Sequence, residues 1–193
     1  MTLRIYIDFK NPASYLALGP TCALLDRLGT RARWLPFCNS EETIPARLEV
    51  ETRGEQHRRV RALARRQTHL LYADVQRLAM NFRDDPGSTD CALAALALLE
   101  DEPLPFIRAA FDSYWVRGDD LDDPGIVKAL WDASTDDTLL DLEAGRGALE
   151  QIREDAIESR VFMAPSFLLG EQLFLGREHL PWIECLLTGG EQA

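Results

Sequence analysis

The first stretch of the chain alternates hydrophobic and polar positions. In residues 3–9 the odd positions are hydrophobic and the even ones are Arg, Tyr and Asp, a period of two that predicts a β-strand. Asn11 and Pro12 predict a helix start, because Asn is a preferred N-cap and Pro costs nothing at the first helical position. Gly29 predicts the end of that helix, and residues 31–37 predict a second strand. The pattern indicates a β-α-β unit with parallel strands and a right-handed crossover.

The last part of the chain carries a different pattern. Two short hydrophobic runs, 166–169 and 172–175, flank Gly170-Glu171, a turn signal typical of a β-hairpin. Hydrophobic positions then recur at helical spacing over 178–187, which predicts a closing helix. The chain therefore ends in a β-β-α unit.

The residues between these two ends are predicted to be helical. Residues 91–99 are hydrophobic on all sides, which indicates a buried helix, and 106–115 carry a hydrophobic stripe at helical spacing. No Gly/Ser linker separates the segments. We therefore expect all 193 residues to form one domain, with a core made by 1–38 and 158–193 and a helical insertion over 39–157.

Composition narrows the class of protein. With 46% hydrophobic and 27% charged residues the chain is typical of a soluble globular protein. Its net charge of −11 repels phosphate backbones, so nucleic acid is not an expected partner. The longest apolar run is too short to cross a bilayer, which speaks against membrane association. Asp8 interrupts the apolar start before a secretory signal could form, so we expect a cytoplasmic protein.

Charge is unevenly distributed along the chain. Residues 53–83 contain eight arginines against Glu55 and Asp74, a net charge of +6, which leaves −17 for the rest. Such a basic stretch could attract an anionic ligand or an acidic partner. The alternative is a solvated helix face that pairs with acidic neighbours.

The cysteines and histidines do not form a metal-binding pattern. The four cysteines, at 22, 38, 91 and 185, include no closely spaced pair, and the three histidines are scattered. Zinc sites need short paired spacings. We therefore expect no metal, and cysteines that are reduced and buried.

Residues 11–14 lie between a strand and a helix, where thioredoxin-fold proteins hold their active site. Unpaired N–H groups in a first helical turn, together with the helix dipole, stabilise an anion such as a thiolate. Dithiol exchange would need Cys at both ends of this segment. Because Asn11 and Ser14 stand there, dithiol redox chemistry at this site is excluded.

The chain resembles the DsbA-like branch of the thioredoxin fold that contains 2-hydroxychromene-2-carboxylate isomerases and kappa-class glutathione transferases. The resemblance rests on YIDFKNPASYLAL (6–18), DVQRLA (74–79), SYWVRGDDLDDPGIV (113–127) and VFMAPSFLLGEQLFLGREHL (161–180). The first and last segments are the more specific. It implies an α/β thioredoxin fold with a large all-helical insertion.

The resemblance also implies a role for the start of the first helix. In that family a Ser immediately before the Pro donates a hydrogen bond to the sulfur of bound glutathione and lowers the thiol pKa. Asn11 stands at the matching position, and its amide N–H can still donate to a thiolate. The alternative is that Asn11 is only a helix N-cap. Ser14 is a second donor candidate, with a capping or solvent-facing Ser as the alternative.

Two further segments match glutathione-binding positions of the family. The resemblance implies a cis Pro165, with the backbone of Ala164 pairing with the cysteinyl part of glutathione. It implies that the turn of Gly176, Arg177 and Glu178 holds the γ-glutamyl end, where the family has Gly-x-Asp. Glu178 matches that Asp with one extra methylene and would take the ammonium group. Arg177 stands where the kappa enzymes commonly have a small polar residue, and it could reach a carboxylate. For Glu178 the alternative is a favourable interaction with the helix dipole alone.

These observations leave three functions open. The leading hypothesis is a glutathione-dependent isomerase or transferase, in which the glutathione thiolate adds to a small conjugated or aromatic-derived substrate. The second is a binding or regulatory module that keeps the fold without the activating hydroxyl. The third is a DsbA-type protein that exchanges disulfides through Cys22 or Cys38. The resemblance further implies a basic contact to glutathione, for which Arg65 or Arg66 could correspond, and allows a homodimer.

Overall fold

The computed structural model describes residues 2–38, 45, 51–136 and 139–189. Its first elements are strand β1 (Leu3–Ile7), helix α1 (Pro12–Leu28) and strand β2 (Ala32–Pro36). The β-α-β unit is thus confirmed, although both strands are shorter than their hydrophobic runs. Helix α1 ends where the sequence predicts, because Gly29 adopts a left-handed conformation with φ of 57°.

Helices occupy the described middle of the chain. They are α2 (Arg53–Gln76), α3 (Asp90–Ala97), α4 (Leu104–Asp112), a π-helical turn (Ser113–Arg117), α5 (Pro124–Ser134) and α6 (Leu142–Glu158). The buried helix expected over 91–99 is α3, whose residues from Cys91 to Leu96 are all buried. It ends two residues earlier than the hydrophobic run.

The chain closes with the predicted hairpin and helix. Strands β3 (Ser166–Leu169) and β4 (Gln172–Leu175) have the expected bounds. The closing helix does not begin at Glu178 as predicted. A 3₁₀ turn (Arg177–His179) comes first, and helix α7 (Leu180–Leu187) follows. Pro181 then lies in the first turn of α7, where its missing N–H leaves no hydrogen bond unmade.

The four strands form one sheet in the order β2-β1-β3-β4. Strand β1 is parallel to β2 and antiparallel to β3, with Tyr6 opposite Ser166. The carboxyl end of β1 and the amino end of β3 therefore lie at the same edge of the sheet. This register brings the loop before α1 close to the segment that contains Pro165.

Hydrophobic side chains cover both faces of the sheet. Leu3 and Ile5 belong to the larger cluster on one face, whereas Tyr6 belongs to a second cluster that includes Ile152 and Ala156 of α6. The polar positions of β1 therefore do not form a solvent-exposed face, because α6 covers them. The described helices include none with the length and hydrophobicity needed to span a membrane.

Candidate active site

Aromatic residues hold the loop that leads from β1 into α1. The Trp115 indole N–H donates to the Phe9 carbonyl at 2.9 Å, and the Trp115 ring stacks on Tyr15, with 5.9 Å between ring centroids and 3° between ring planes. Trp115 belongs to the π-helical turn. Trp115, a residue of the helical insertion, thus holds the start of α1 in place through its contacts with Phe9 and Tyr15.

Asn11 caps α1 with its side-chain oxygen. Asn11 Oδ1 accepts hydrogen bonds from the N–H groups of Ala13 (2.9 Å) and Ser14 (3.1 Å), and Pro12 has no N–H. The expectation that the first-turn N–H groups remain unpaired is therefore wrong. Within the described part of the chain, the Asn11 Nδ2 amide has no hydrogen-bond partner. That amide is the donor available to a ligand at this end of α1.

Ser14 belongs to a buried polar network. Its side chain is 1% exposed, and its Oγ accepts a hydrogen bond from the Asp8 N–H at 3.3 Å. The buried Asp8 carboxylate accepts in turn from the Lys10 N–H (3.2 Å) and the Thr89 hydroxyl (3.2 Å). Ser14 therefore helps to shape the β1–α1 loop from inside the protein.

A cavity of about 270 Å³ opens beside the first two turns of α1. Four parts of the chain contribute to its wall: α1, α2, the segment before β3, and the turn after β4. The lining residues are Ala13, Leu16, Thr68, His69, Tyr72, Met163, Pro165, Leu175, Gly176, Arg177 and Glu178. The cavity is where segments distant in sequence meet.

Four of the seven predicted site residues line this cavity: Pro165, Gly176, Arg177 and Glu178. Ala164 is fully buried directly before Pro165, and the bond between them is cis. Asn11 and Ser14 are not among the lining residues, although Ala13 between them is. The Gly176 N–H donates to the Pro165 carbonyl at 2.9 Å, which joins the two predicted glutathione-binding segments.

The backbone of Gly176 adopts a conformation that residues with a side chain rarely reach. Its φ of 81° lies in the region that favours glycine. A Cβ at this position would lie 2.1 Å from Oε2 of Glu178, because the Glu178 carboxylate folds back over Gly176. Glu178 is exposed, and its carboxylate has no ion-pair partner among the residues that the structure describes.

Arg177 contacts two other walls of the cavity. Its guanidinium carbon lies 4.1 Å from the centre of the Tyr72 ring, and its Nη1 lies 3.5 Å from the Leu16 carbonyl oxygen. The side chain is half-buried. Arg177 thus connects the turn after β4 with α1 and α2.

Sequence reasoning missed the contribution of α2 to the cavity. Thr68, His69 and Tyr72 line it, whereas Arg65 and Arg66, the suggested basic contacts, do not. Arg66 instead lies over the Phe82 ring, 4.7 Å from its centre. The spacing of Thr68, His69 and Tyr72 places them on one side of α2. That spacing could have grouped them, but nothing local indicates which side of α2 faces the cavity.

The cysteines are poorly suited to disulfide exchange. All four are free. Burial raises the pKa of the Cys22 thiol, and burial together with the Asp8 carboxylate raises the pKa of the Cys38 thiol. Both groups are therefore protonated at neutral pH, and the thiolate is the nucleophile in such exchange. Among the described residues no cluster of His, Cys, Asp or Glu could hold a metal ion.

The fold and the cavity define a DsbA-like thioredoxin-fold protein with a helical insertion. The chain is 26% identical to a 2-hydroxychromene-2-carboxylate isomerase of Sphingobium xenophagum, over 96% of this chain and 97% of the relative. It is 24% identical to one of Pseudomonas putida, over 97% of this chain and 94% of that one. The expected resemblance is confirmed: the chain is similar to 2-hydroxychromene-2-carboxylate isomerases over 94% or more of both sequences.

The structural comparison agrees on the fold. A solved structure of selenomethionine 2-hydroxychromene-2-carboxylate isomerase superimposes with a TM-score of 0.67 at 19% identity, covering 97% of this chain and 95% of the other. No family model matches the chain.

Proposed function

We propose that the protein is a glutathione-dependent isomerase that acts on a small conjugated, aromatic-derived substrate. The observation that carries the proposal is the cavity where Ala13, Pro165 and the turn after β4 meet, in a chain that is similar over 96% or more of its length to isomerases. Glutathione, when bound, supplies a thiol that adds reversibly to a conjugated double bond, so that the bond can rotate before the thiol leaves. Retention of the thiol would instead make the protein a transferase.

The residues of the cavity fit a tripeptide with charged ends. Glu178 presents a carboxylate without an ion-pair partner among the described residues, which suits an ammonium group. Pro165 lies in the wall of the same cavity, where it would contact the cysteinyl part of the peptide. The Asn11 Nδ2 amide can donate a hydrogen bond to a thiolate, which would favour the ionised thiol.

The reaction is tested by following the isomerisation of 2-hydroxychromene-2-carboxylate with and without glutathione. We expect turnover that depends on glutathione and saturates with it, and calorimetric binding of glutathione alone. Conjugation of glutathione to aryl halides, measured under the same conditions, tests whether the protein is instead a transferase. No glutathione-dependent turnover on either kind of substrate would contradict it.

One observation favours the binding or regulatory module as a second candidate. The Oδ1 of Asn11 is committed to capping α1, where the family has a hydroxyl that serves the thiol. Calorimetry separates the two candidates, because glutathione binding without turnover supports the module. For the DsbA-type alternative, the raised thiol pKa values predict no activity in an insulin-reduction assay.

A further inference from the structure

A proline inside α1 leaves one backbone carbonyl without its helical partner. In an α-helix the Leu16 carbonyl accepts from the N–H four residues later, but that residue is Pro20, which has no N–H. A buried carbonyl without a donor is unfavourable, so another group must satisfy it. Leu16 lines the cavity, so a group that donates to its carbonyl lies close to where a ligand would bind.

Two side chains from other elements donate to this carbonyl. Gln76 of α2 donates through Nε2 at 3.2 Å, and Arg177 donates through Nη1 at 3.5 Å. The Tyr72 ring packs under the same guanidinium at 4.1 Å. Arg177 is thus held between a carbonyl dipole and an aromatic face, and both favour a cation.

The charge of Arg177 is not neutralised within the described part of the chain. No carboxylate there lies within ion-pair distance of its guanidinium, although Glu178, the next residue, also lines the cavity. Of five N–H donors, the guanidinium uses one on Leu16. A held, half-buried guanidinium with unused donors is suited to bind a planar carboxylate through two hydrogen bonds.

We infer that Pro20 is a positioning residue of the cavity: by releasing the Leu16 carbonyl it fixes the Arg177 guanidinium where that group can bind a carboxylate. Tyr72 packs against the Arg177 guanidinium, and Gln76 donates a second hydrogen bond to the Leu16 carbonyl. The inference deepens the proposed function, on which it rests for the identity of the ligand. The carboxylate belongs either to glutathione or to the conjugated substrate, and the experiment below separates these sources.

The test compares wild-type protein with Arg177→Gln and Arg177→Lys by calorimetry. The probes are glutathione, cinnamate as a conjugated aromatic carboxylate, and neutral cinnamamide. We expect Arg177→Gln to weaken binding of the recognised carboxylate by about tenfold or more, and Arg177→Lys to restore part of it. Loss confined to glutathione assigns the carboxylate to the tripeptide, and loss confined to cinnamate assigns it to the substrate. Cinnamamide, which has no carboxylate, should bind wild-type protein and Arg177→Gln with equal affinity.

Arg31→Gln is the matched control for the loss of one positive charge. Arg31 is exposed at the start of β2, so its variant should bind all probes like the wild-type protein. Pro20→Ala tests the positioning step, because its new N–H can occupy the Leu16 carbonyl. We expect it to weaken carboxylate binding severalfold while the midpoint of thermal unfolding stays the same or rises, since alanine is the better helix former.

Each outcome decides the inference. Equal carboxylate affinities in Arg177→Gln and wild-type protein would overturn it, as would wild-type protein that binds neither carboxylate probe. Pro20→Ala protein that binds the recognised carboxylate as tightly as wild-type protein would overturn it as well. If the affinities of Arg177→Gln and wild-type protein were equal and both proteins still showed glutathione-dependent turnover, the proposed function would remain intact. Conversely, cinnamate binding that depends on Arg177, in a protein without glutathione-dependent turnover, would support the carboxylate site and contradict the proposed function.

Discussion

Asn11 combines two tasks that different substitutions can separate. Its Oδ1 caps α1, and its Nδ2 is the proposed donor to the glutathione sulfur. Asn11→Ser keeps a capping oxygen and supplies a hydroxyl, so we expect stability within about 0.5 kcal/mol of wild type and turnover that is retained or raised. Asn11→Ala removes both groups. We expect it to lose about 1 kcal/mol of stability and at least about tenfold in glutathione-dependent turnover.

A second helix provides the control for the capping part. Asp141 caps α6 in the same way, accepting from the N–H groups of Glu143 and Ala144. Asp141→Ala should lower the free energy of unfolding by a similar amount and leave turnover per folded molecule unchanged. Urea unfolding and initial rates measure the two effects. If Asn11→Ala lost stability but kept full turnover, Asn11 would be only a cap.

Thr21 is a buried residue whose hydroxyl contributes no hydrogen bond among the described residues. It is fully buried in α1, and its Oγ1 has no partner there. Thr21→Val removes this desolvated hydroxyl and keeps the shape, so we expect a gain of about 1 kcal/mol in the free energy of unfolding. Thr135→Val is the matched control, because the Thr135 Oγ1 donates to the Trp131 carbonyl at 2.9 Å. A loss of stability in Thr21→Val as large as that of the control would contradict the prediction.

At the scale of single elements, the sequence predicts those features that depend on neighbouring residues alone. Asn11, Pro12 and Gly29 give both ends of α1, and Gly170-Glu171 gives the hairpin. The same reasoning could not place α2 against the cavity, because the contacts of Tyr72 and Gln76 depend on residues distant in sequence. Nor could it show that Asn11 satisfies the N–H groups expected to remain unpaired, since the N-cap and thiolate interpretations use the same residue.

The π-helical turn is closed by a network around Asp119. Its carboxylate accepts from the Ser113 hydroxyl at 2.6 Å and from the Arg117 Nε at 2.8 Å, and its carbonyl accepts from Arg83. The Ser113 hydroxyl and the Arg117 guanidinium lower the pKa of the Asp119 carboxyl below its usual value. A lowered pKa means that the ionised carboxylate stabilises the folded state.

This network predicts a pH-dependent effect of Asp119→Asn. The stabilisation is complete above the ordinary carboxyl pKa of about 4 and is lost as the pH falls through the lower pKa of the folded state. We expect the variant to be less stable near neutral pH, on the order of 1 kcal/mol after allowance for solvent screening. The difference should shrink in acid. Asp101→Asn, at an exposed loop position, is the control and should change the stability little. Urea unfolding near neutral pH and in acid measures the free energy of unfolding of each variant. A difference that stayed constant with pH would contradict the argument.

On the scale of the whole molecule, at least three of the eight arginines in the basic stretch have partners within the protein. Arg59 pairs with Glu51 at 2.9 Å, and Arg66 lies over Phe82. Arg83 lies over the Tyr114 ring, 4.5 Å from its centre. These contacts favour the interpretation of a helix face with its own neighbours for those residues. Arg177, the arginine among the described residues that lines the cavity, lies outside the stretch.

Helix α2 is only lightly buried against the rest of the protein. Of its 24 residues only Ala73 is buried, and Val60, Leu71 and Val75 are more than half exposed. Helix α3, by contrast, is buried along six consecutive residues. Few buried contacts mean a low free energy of local opening, so the amides of α2 should exchange hydrogen faster than those of α3.

A ligand in the cavity would add contacts to Thr68, His69 and Tyr72 and should therefore slow exchange in the second half of α2. Hydrogen exchange followed by mass spectrometry, with and without saturating glutathione, measures this effect. We expect protection to increase over about residues 68–76 while α3 remains unchanged, and triglycine at the same concentration to have no effect. Equal protection of α2 in both states, in protein shown by calorimetry to bind glutathione, would mean that the tripeptide binds elsewhere. Protection confined to this half of α2 would instead tie the tripeptide to the cavity wall that sequence reasoning missed.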